Sequence, residues 1–195
     1  WIRVGDLAPL LTLPRLQRLY ARGGGIRLDA LAHDGLRSLT LETGGLPADT
    51  VRAVAAGRGA ALEHLELWFG SRHYGADAAL ADVAPLLHSR AYPALRRLGL
   101  RNAELADELA EQIVSAPIAA QLTALDLSLG VLGDAGALAL ARGADRLAGL
   151  EVLDVSEGYV GEAGLAALRE AFGPRLRAGR QRRPHQDERY VSVGE

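Results

Sequence analysis

Cysteine and lysine are both missing from this 195-residue chain, and aromatics are few: two Trp, five Tyr and two Phe. Without cysteine there can be no disulfide, no thiolate nucleophile and no thiolate metal site. All 22 basic residues are arginine. Schiff-base chemistry and a Walker A phosphate loop are therefore excluded. No apolar run approaches the roughly 18 residues of a membrane-spanning helix, because Arg, Asp or Glu interrupts each one first. No secretory signal is present, and the absence of cysteine fits a reducing compartment, so a cytoplasmic location is expected. The chain opens at Trp1 rather than at Met, which leads us to expect a longer protein whose N-terminal part is missing here.

Charge of one sign is also lacking. The net charge is −2. Residues 1–174 carry −5 and residues 175–195 carry +3. A mildly acidic body lacks the clustered cations of a duplex binder, so no nucleic-acid partner is expected. There is no G-x-S-x-G, no H-E-x-x-H and no glycine-rich phosphate loop in a strand–helix setting. No enzyme activity and no cofactor are indicated. Apolar residues make up 49% and charged residues 24% of the chain, enough to bury a sizeable core.

What is present is a repeat. The pattern L-x-x-L-x-(L/V/A) begins at Leu16, Leu36, Leu62, Leu95, Leu122 and Leu150, and a degenerate seventh copy, GPRLRAGR, follows at Gly173. The second anchors are Leu19, Leu39, Leu65, Leu98, Leu125, Leu153 and Leu176, at intervals of 20, 26, 33, 27, 28 and 23 residues. A recurrence with a period mostly near 28 residues is the mark of a leucine-rich repeat. Between copies, Leu105, Leu109 and Ile113 stand four apart, and Ala137, Leu138, Ala141, Leu147, Leu165, Leu168 and Phe172 keep near-helical spacing. Asp134 and Glu162 fall in first helical turns, where negative charge suits the helix dipole. The expected fold is α/β: a right-handed leucine-rich-repeat horseshoe in one domain spanning 1–195. A parallel sheet lines its concave face and helices lie outside, because one strand and one helix cannot bury their apolar faces alone.

The paired LDLSLGVLGDAGA and LDVSEGYVGEAGL resemble the ribonuclease-inhibitor type of repeat. ELWFG, LGLRNAELADELA and the closing RYVSVGE further resemble an uncharacterised bacterial leucine-rich-repeat family. Its members are longer at the N-terminus and tend to be encoded beside radical-SAM and ATP-grasp proteins. The resemblance implies a cytoplasmic accessory role and names no substrate or catalytic residue. The family's N-terminal part is absent from this chain, and the seventh repeat is weak.

Side chains alternate along a strand, so the register predicts three outward columns. The first is Arg18, Ser38, His64, Arg97, Ala124, Val152 and Arg175. The second is Tyr20, Thr40, Glu66, Gly99, Asp126, Asp154 and Arg177. The third is Arg22, Glu42, Trp68, Arg101, Ser128, Ser156 and Gly179. Trp68 is expected between Glu42 and Arg101, stacked on Arg101 and presented to a protein partner as a hot spot together with Glu66 and Tyr20. Phe69, just past the strand, should pack at the rim. The longest interval falls in GSRHYGADAA. There Tyr74 is either part of a functional loop or a cover for the sheet edge. Glu42, His64, Asp126, Asp154 and Tyr74 join Trp68, Arg101, Glu66 and Tyr20 as candidate binding residues; as a metal pair His64 and His73 lack further ligands and read instead as free surface histidines. Asp126 and Asp154, side by side, are either a metal-dependent or proton-sharing pair or a solvated acidic patch for a basic partner.

The ends read as caps. DLAPLL looks like the helix of an incomplete repeat, and Gly23-Gly24-Gly25 like a turn. Residues 181–195 form a C-terminal cap, and Arg180, Arg182 and Arg183 make a solvated basic connecting loop. Tyr190–Val193 should be a short strand covering the last sheet edge. Besides a protein-binding scaffold, a purely structural C-terminal half of a larger protein remains open.

Overall fold

The computed structural model describes residues 2–186 and 188–193. Its main layer is a seven-stranded sheet in the order β2-β4-β5-β6-β7-β8-β9. These strands are Arg18–Arg22 (β2), Ser38–Glu42 (β4), His64–Gly70 (β5), Arg97–Ala103 (β6), Ala124–Asp126 (β7), Val152–Asp154 (β8) and Leu176–Arg177 (β9). Every neighbouring pair is parallel. Each copy of the leucine pattern lies on one strand, and the leucine anchors are Cα partners from Leu19 through Leu176. Leu39, Leu65, Leu98, Leu125 and Leu153 are buried to 1% exposure or less. Their branched chains stack into one continuous core with the inward faces of the helices.

The helices follow the expected spacing. They are α1 (Ala48–Ala55), α2 (Leu80–His88), α3 (Ala106–Ser115), α4 (Asp134–Arg142) and α5 (Glu162–Phe172), and consecutive helices pack side by side. Among the described residues none is long and apolar enough to cross a membrane. Asp134 begins its helix as expected and does more. Its carboxylate accepts the Gly161 N–H at 2.8 Å, across to the next connection. Asp107 does the same for Gly133 and Gly136, at 2.8 and 3.0 Å. First-turn carboxylates thus tie the start of α4 to α3 and the start of α5 to α4.

The N-terminal end departs from expectation. Gly24 and Gly25 are not a turn. They open a strand, β3 (Gly24–Arg27), which pairs in parallel with β1 (Arg3–Asp6) in a separate two-stranded sheet. Glycine is needed because Gly23 has φ +138° and a side chain there would stand 2.7 Å from the Ile2 carbonyl oxygen. The stretch read as a helix in DLAPLL is a 3₁₀ turn over Ala8–Thr12. Pro9 and the short run do not sustain a longer helix.

The C-terminal end departs as well. Tyr190–Val193 forms no strand. It runs back past Tyr159 and Leu129, in the connections after β8 and β7, to Asn102 near the end of β6. Arg182 is half-buried rather than solvated: it donates to the carbonyls of Glu157, Leu129, Gly130 and Tyr190 at 2.7–3.0 Å. Its guanidinium also lies 4.6 Å from the Tyr159 ring centroid. Five carbonyl-seeking N–H groups on a planar fork explain why an arginine, rather than a solvated charge, closes this end.

Candidate functional site

The face of the sheet opposite the leucine anchors carries the three columns, and the first two keep the expected register. Arg18, Ser38, His64, Arg97, Ala124 and Val152 are successive Cα partners, as are Tyr20, Thr40, Glu66, Gly99, Asp126, Asp154 and Arg177. Arg175 is the exception. It ends a 3₁₀ turn and folds its guanidinium onto the carbonyls of Phe172, Ala171, Ala148 and Leu150. The third column is laddered only at Arg22–Glu42 and Trp68–Arg101; from Arg101 on to Ser128, Ser156 and Gly179 the strand pairing has already ended. The β4–β5 ladder stops at Leu41–Leu67, so Glu42 is not a ladder partner of Trp68. Glu42 pairs with Arg22 at 3.0 Å and accepts the Tyr20 hydroxyl.

Trp68 and Arg101 are Cα partners, and the guanidinium lies 4.4 Å from the indole centroid. Such a pair is worth about 0.5–2 kcal/mol. The indole Nε1 donates to Glu66 Oε1 at 2.6 Å, and Arg101 Nη1 donates to the same oxygen at 3.1 Å. Arg101 Nε reaches Ser128 Oγ at 3.1 Å and Asp126 Oδ2 at 3.3 Å. Closed over in this way, Trp68 is only 9% exposed. The expectation of an open hot-spot indole is corrected: it is the packed centre of a polar network. Tyr20, at 60%, is the aromatic that faces solvent from a strand.

His64 is likewise no free surface histidine. It is half-buried, with Nδ1 3.1 Å from Ser38 Oγ and Nε2 3.5 Å from Glu66 Oε2. His73 is exposed. Burial alone would raise the Glu66 carboxyl. The bonds from His64 and Trp68 and the charge of Arg101 outweigh it and bring Glu66 down to about 2. For Asp126 burial wins: its pKa is raised against the pull of Ser128 and Arg101, with Asp154 adding to the rise.

Asp126 and Asp154 are Cα partners, and each spends one carboxylate oxygen on an N–H two residues on, that of Ser128 or Ser156, at 2.9 Å. Among the described residues no group of three or more His, Asp or Glu is placed to hold a metal ion. Between these residues, where Gly99 and Ala124 carry little or no side chain, the face sinks into a depression of about 270 Å³. Glu66, Asp126 and Asp154 wall it on one side of the charge balance, Arg97 and Arg177 on the other. A Cβ at Gly99 would stand 2.9 Å from Glu66 Cγ, so glycine keeps the floor open.

No family model matches this chain, and a search of curated proteins found no match either. Among solved structures, a structural-genomics target from Bacteroides fragilis superposes with a TM-score of 0.80 at 24% identity. The match covers 98% of this chain and 54% of that one, so the chain spans about half the length of that protein. The likeness establishes the fold as α/β, with a mostly parallel sheet flanked by helices and no closed barrel.

Tyr74 lies away from the columns, 44% exposed, in a 3₁₀ turn over Arg72–Tyr74. Its loop does not cover the sheet edge. It folds onto the preceding connection instead: Gly45 and Gly70 form an antiparallel bridge, Leu46 N–H donates to the Phe69 carbonyl at 2.7 Å, and Ser71 N–H to Gly44 at 2.8 Å. Phe69 is 1% exposed and belongs to the core. Sequence reasoning passed over Asn102, the only asparagine of the chain. It is fully buried at φ +53°, and both ends of its amide bond Val193. The available signal was an amide side chain near the end of a repeat strand, a position where Asn tolerates left-handed backbone.

Proposed function

We propose that the chain is a run of leucine-rich repeats in a horseshoe-like solenoid and acts as a non-enzymatic scaffold, binding a protein partner on the concave sheet face. The observation that carries this reading is the depression over Gly99, flanked by side chains of both charges on a rigid sheet. A wide, mixed-charge face without a deep apolar cavity suits a macromolecular surface better than a small molecule. The internal network of Glu66, Trp68 and Arg101 keeps this face ordered before binding, which lowers the entropic cost of association. Tyr20, Arg97, Asp154 and Arg177 are then the contact residues. The accessory role implied by the family resemblance fits a scaffold located in the cytoplasm.

The test compares partners cross-linked in cells by the wild-type chain and by a Tyr20→Ala, Asp154→Arg double variant. A Glu170→Arg variant on the outer helix α5 is the control. A partner lost with the double variant and kept with the control supports the reading. An unchanged partner set, with circular dichroism unaltered, removes it.

A further inference from the structure

We infer that Ser38 is a reactive serine on the concave sheet face, activated by His64 and oriented through it by Glu66, and that it takes up an acyl group from an activated carboxylic ester. Ser38 lies on β4 and the other two on β5, and Ser38 and His64 are Cα partners. The pairing of these parallel strands sets the hydroxyl and the imidazole abreast on one face. Ser38 Oγ is 3.1 Å from His64 Nδ1, and His64 Nε2 is 3.5 Å from Glu66 Oε2. A hydroxyl, an imidazole and a carboxylate in this order are the parts of an activated nucleophile: a base within reach, and a third group that holds the base.

The hydrogen positions follow from the carboxylate. Glu66 is ionised, its carboxyl brought down to about 2, so it can only accept. In the neutral imidazole the nitrogen that faces it, Nε2, then carries the hydrogen. Nδ1 is left with a lone pair turned to the Ser38 hydroxyl. Glu66 is itself fixed in place. Its other oxygen, Oε1, accepts the Trp68 indole N–H at 2.6 Å and Arg101 Nη1 at 3.1 Å, which leaves Oε2 to His64. The packed network around Trp68 thus supports the pair that does the chemistry.

Ser38 is half-buried, so its hydroxyl is confined yet still meets solvent. Arg18 stands beside it on β2, one strand spacing of about 4.8 Å away. Arg18 is exposed, and among the described residues no carboxylate pairs with it. Its guanidinium is placed to meet the negative charge that develops on the acyl oxygen during attack. In the reaction Ser38 Oγ bonds to the acyl carbon, and the bond from that carbon to the leaving oxygen breaks. The hydroxyl proton passes to His64 Nδ1 and from there to the leaving oxygen. The acyl group stays on Ser38, one for each chain. This is a modification of the scaffold, and it does not depend on whether the face binds a protein.

The experiment treats the wild-type chain with p-nitrophenyl acetate and follows acetylation of each serine by peptide mass spectrometry. Ser38 should react roughly a hundredfold faster than Ser115, an exposed serine whose hydroxyl bonds the Gln112 carbonyl. Nitrogen NMR of the wild-type His64 ring should show the hydrogen on Nε2. His64→Ala should slow acetylation of Ser38 roughly a hundredfold. Glu66→Gln should slow it at least roughly tenfold and weaken the preference for hydrogen on Nε2, which a loss of packing elsewhere would not do. Equal rates at Ser38 and Ser115 in the wild type overturn the inference, whether or not the variants fold. Hydrogen on Nδ1 in the wild type overturns it too, as does an unchanged Ser38 rate in a folded His64→Ala chain.

Discussion

The Glu66 carboxylate sits where Trp68, Arg101 and His64 converge, and that convergence has a pH signature. Its pKa falls from the ordinary 4.5 to about 2 on folding. A depressed carboxyl stabilises the fold above its unfolded value and loses that contribution as pH falls through the folded one. The window here is about pH 4.5 down to about 2, and the contribution is of order 3 kcal/mol. Glu66→Gln should therefore lose up to about 3 kcal/mol at pH 7. The gap to wild type in urea midpoints should shrink as pH approaches 2. A gap equal at pH 7 and pH 2.5 would show that Glu66 acts by packing alone. Asp126, with a raised pKa, pulls in the opposite direction: its neutral form is favoured, and that contribution fades as pH rises.

At the scale of elements, the strands and the long connection after β5 make different demands. Leu125 is fully buried between Leu98 and Leu153 on β6 and β8. Leu125→Ala should cost about 2–5 kcal/mol, read from chemical denaturation, because rigid neighbours on both sides cannot collapse into the void. The connection after β5 depends instead on close backbone approach. A Cβ at Gly45 would stand 2.0 Å from the Tyr74 carbonyl oxygen, whereas at Gly75 it would meet nothing within 4 Å. Gly45→Ala should displace the Tyr74 loop and speed exchange of the Leu46 amide, at a cost of about 1–3 kcal/mol. Gly75→Ala should pay only for its left-handed φ of +97°, about 1 kcal/mol. Equal effects of the two substitutions would mean that the loop is not packed against Gly45.

For the molecule as a whole, period and alternation carried far into the sheet and then stopped. The leucine pattern located all seven strands of the main sheet, and the two-residue alternation placed Glu66, Gly99, Asp126 and Asp154 in one column. Helical spacing found α3, α4 and α5. These features are local, because each residue's direction follows from its own strand or helix. The ends were not legible. Nothing in Gly23-Gly24-Gly25 names β1 as a partner, and nothing in RYVSV says that its peptide groups meet Asn102 and Tyr159 instead of a strand edge.

The same division runs through the candidate site. Which residues leave the core side of the sheet is a matter of alternation along one chain, and the pattern alone settles it. Which of them then remain open to a partner depends on what neighbouring strands bring alongside. Trp68 was read correctly as the partner of Arg101, yet that same arginine, with Glu66, closes over it and leaves it 9% exposed. The clasp of Arg101 on Glu66 and Ser128 and the bond of Asn102 to Val193 join side chains and backbone 27 to 91 residues apart. No local pattern records such meetings, so only the tertiary structure decided them.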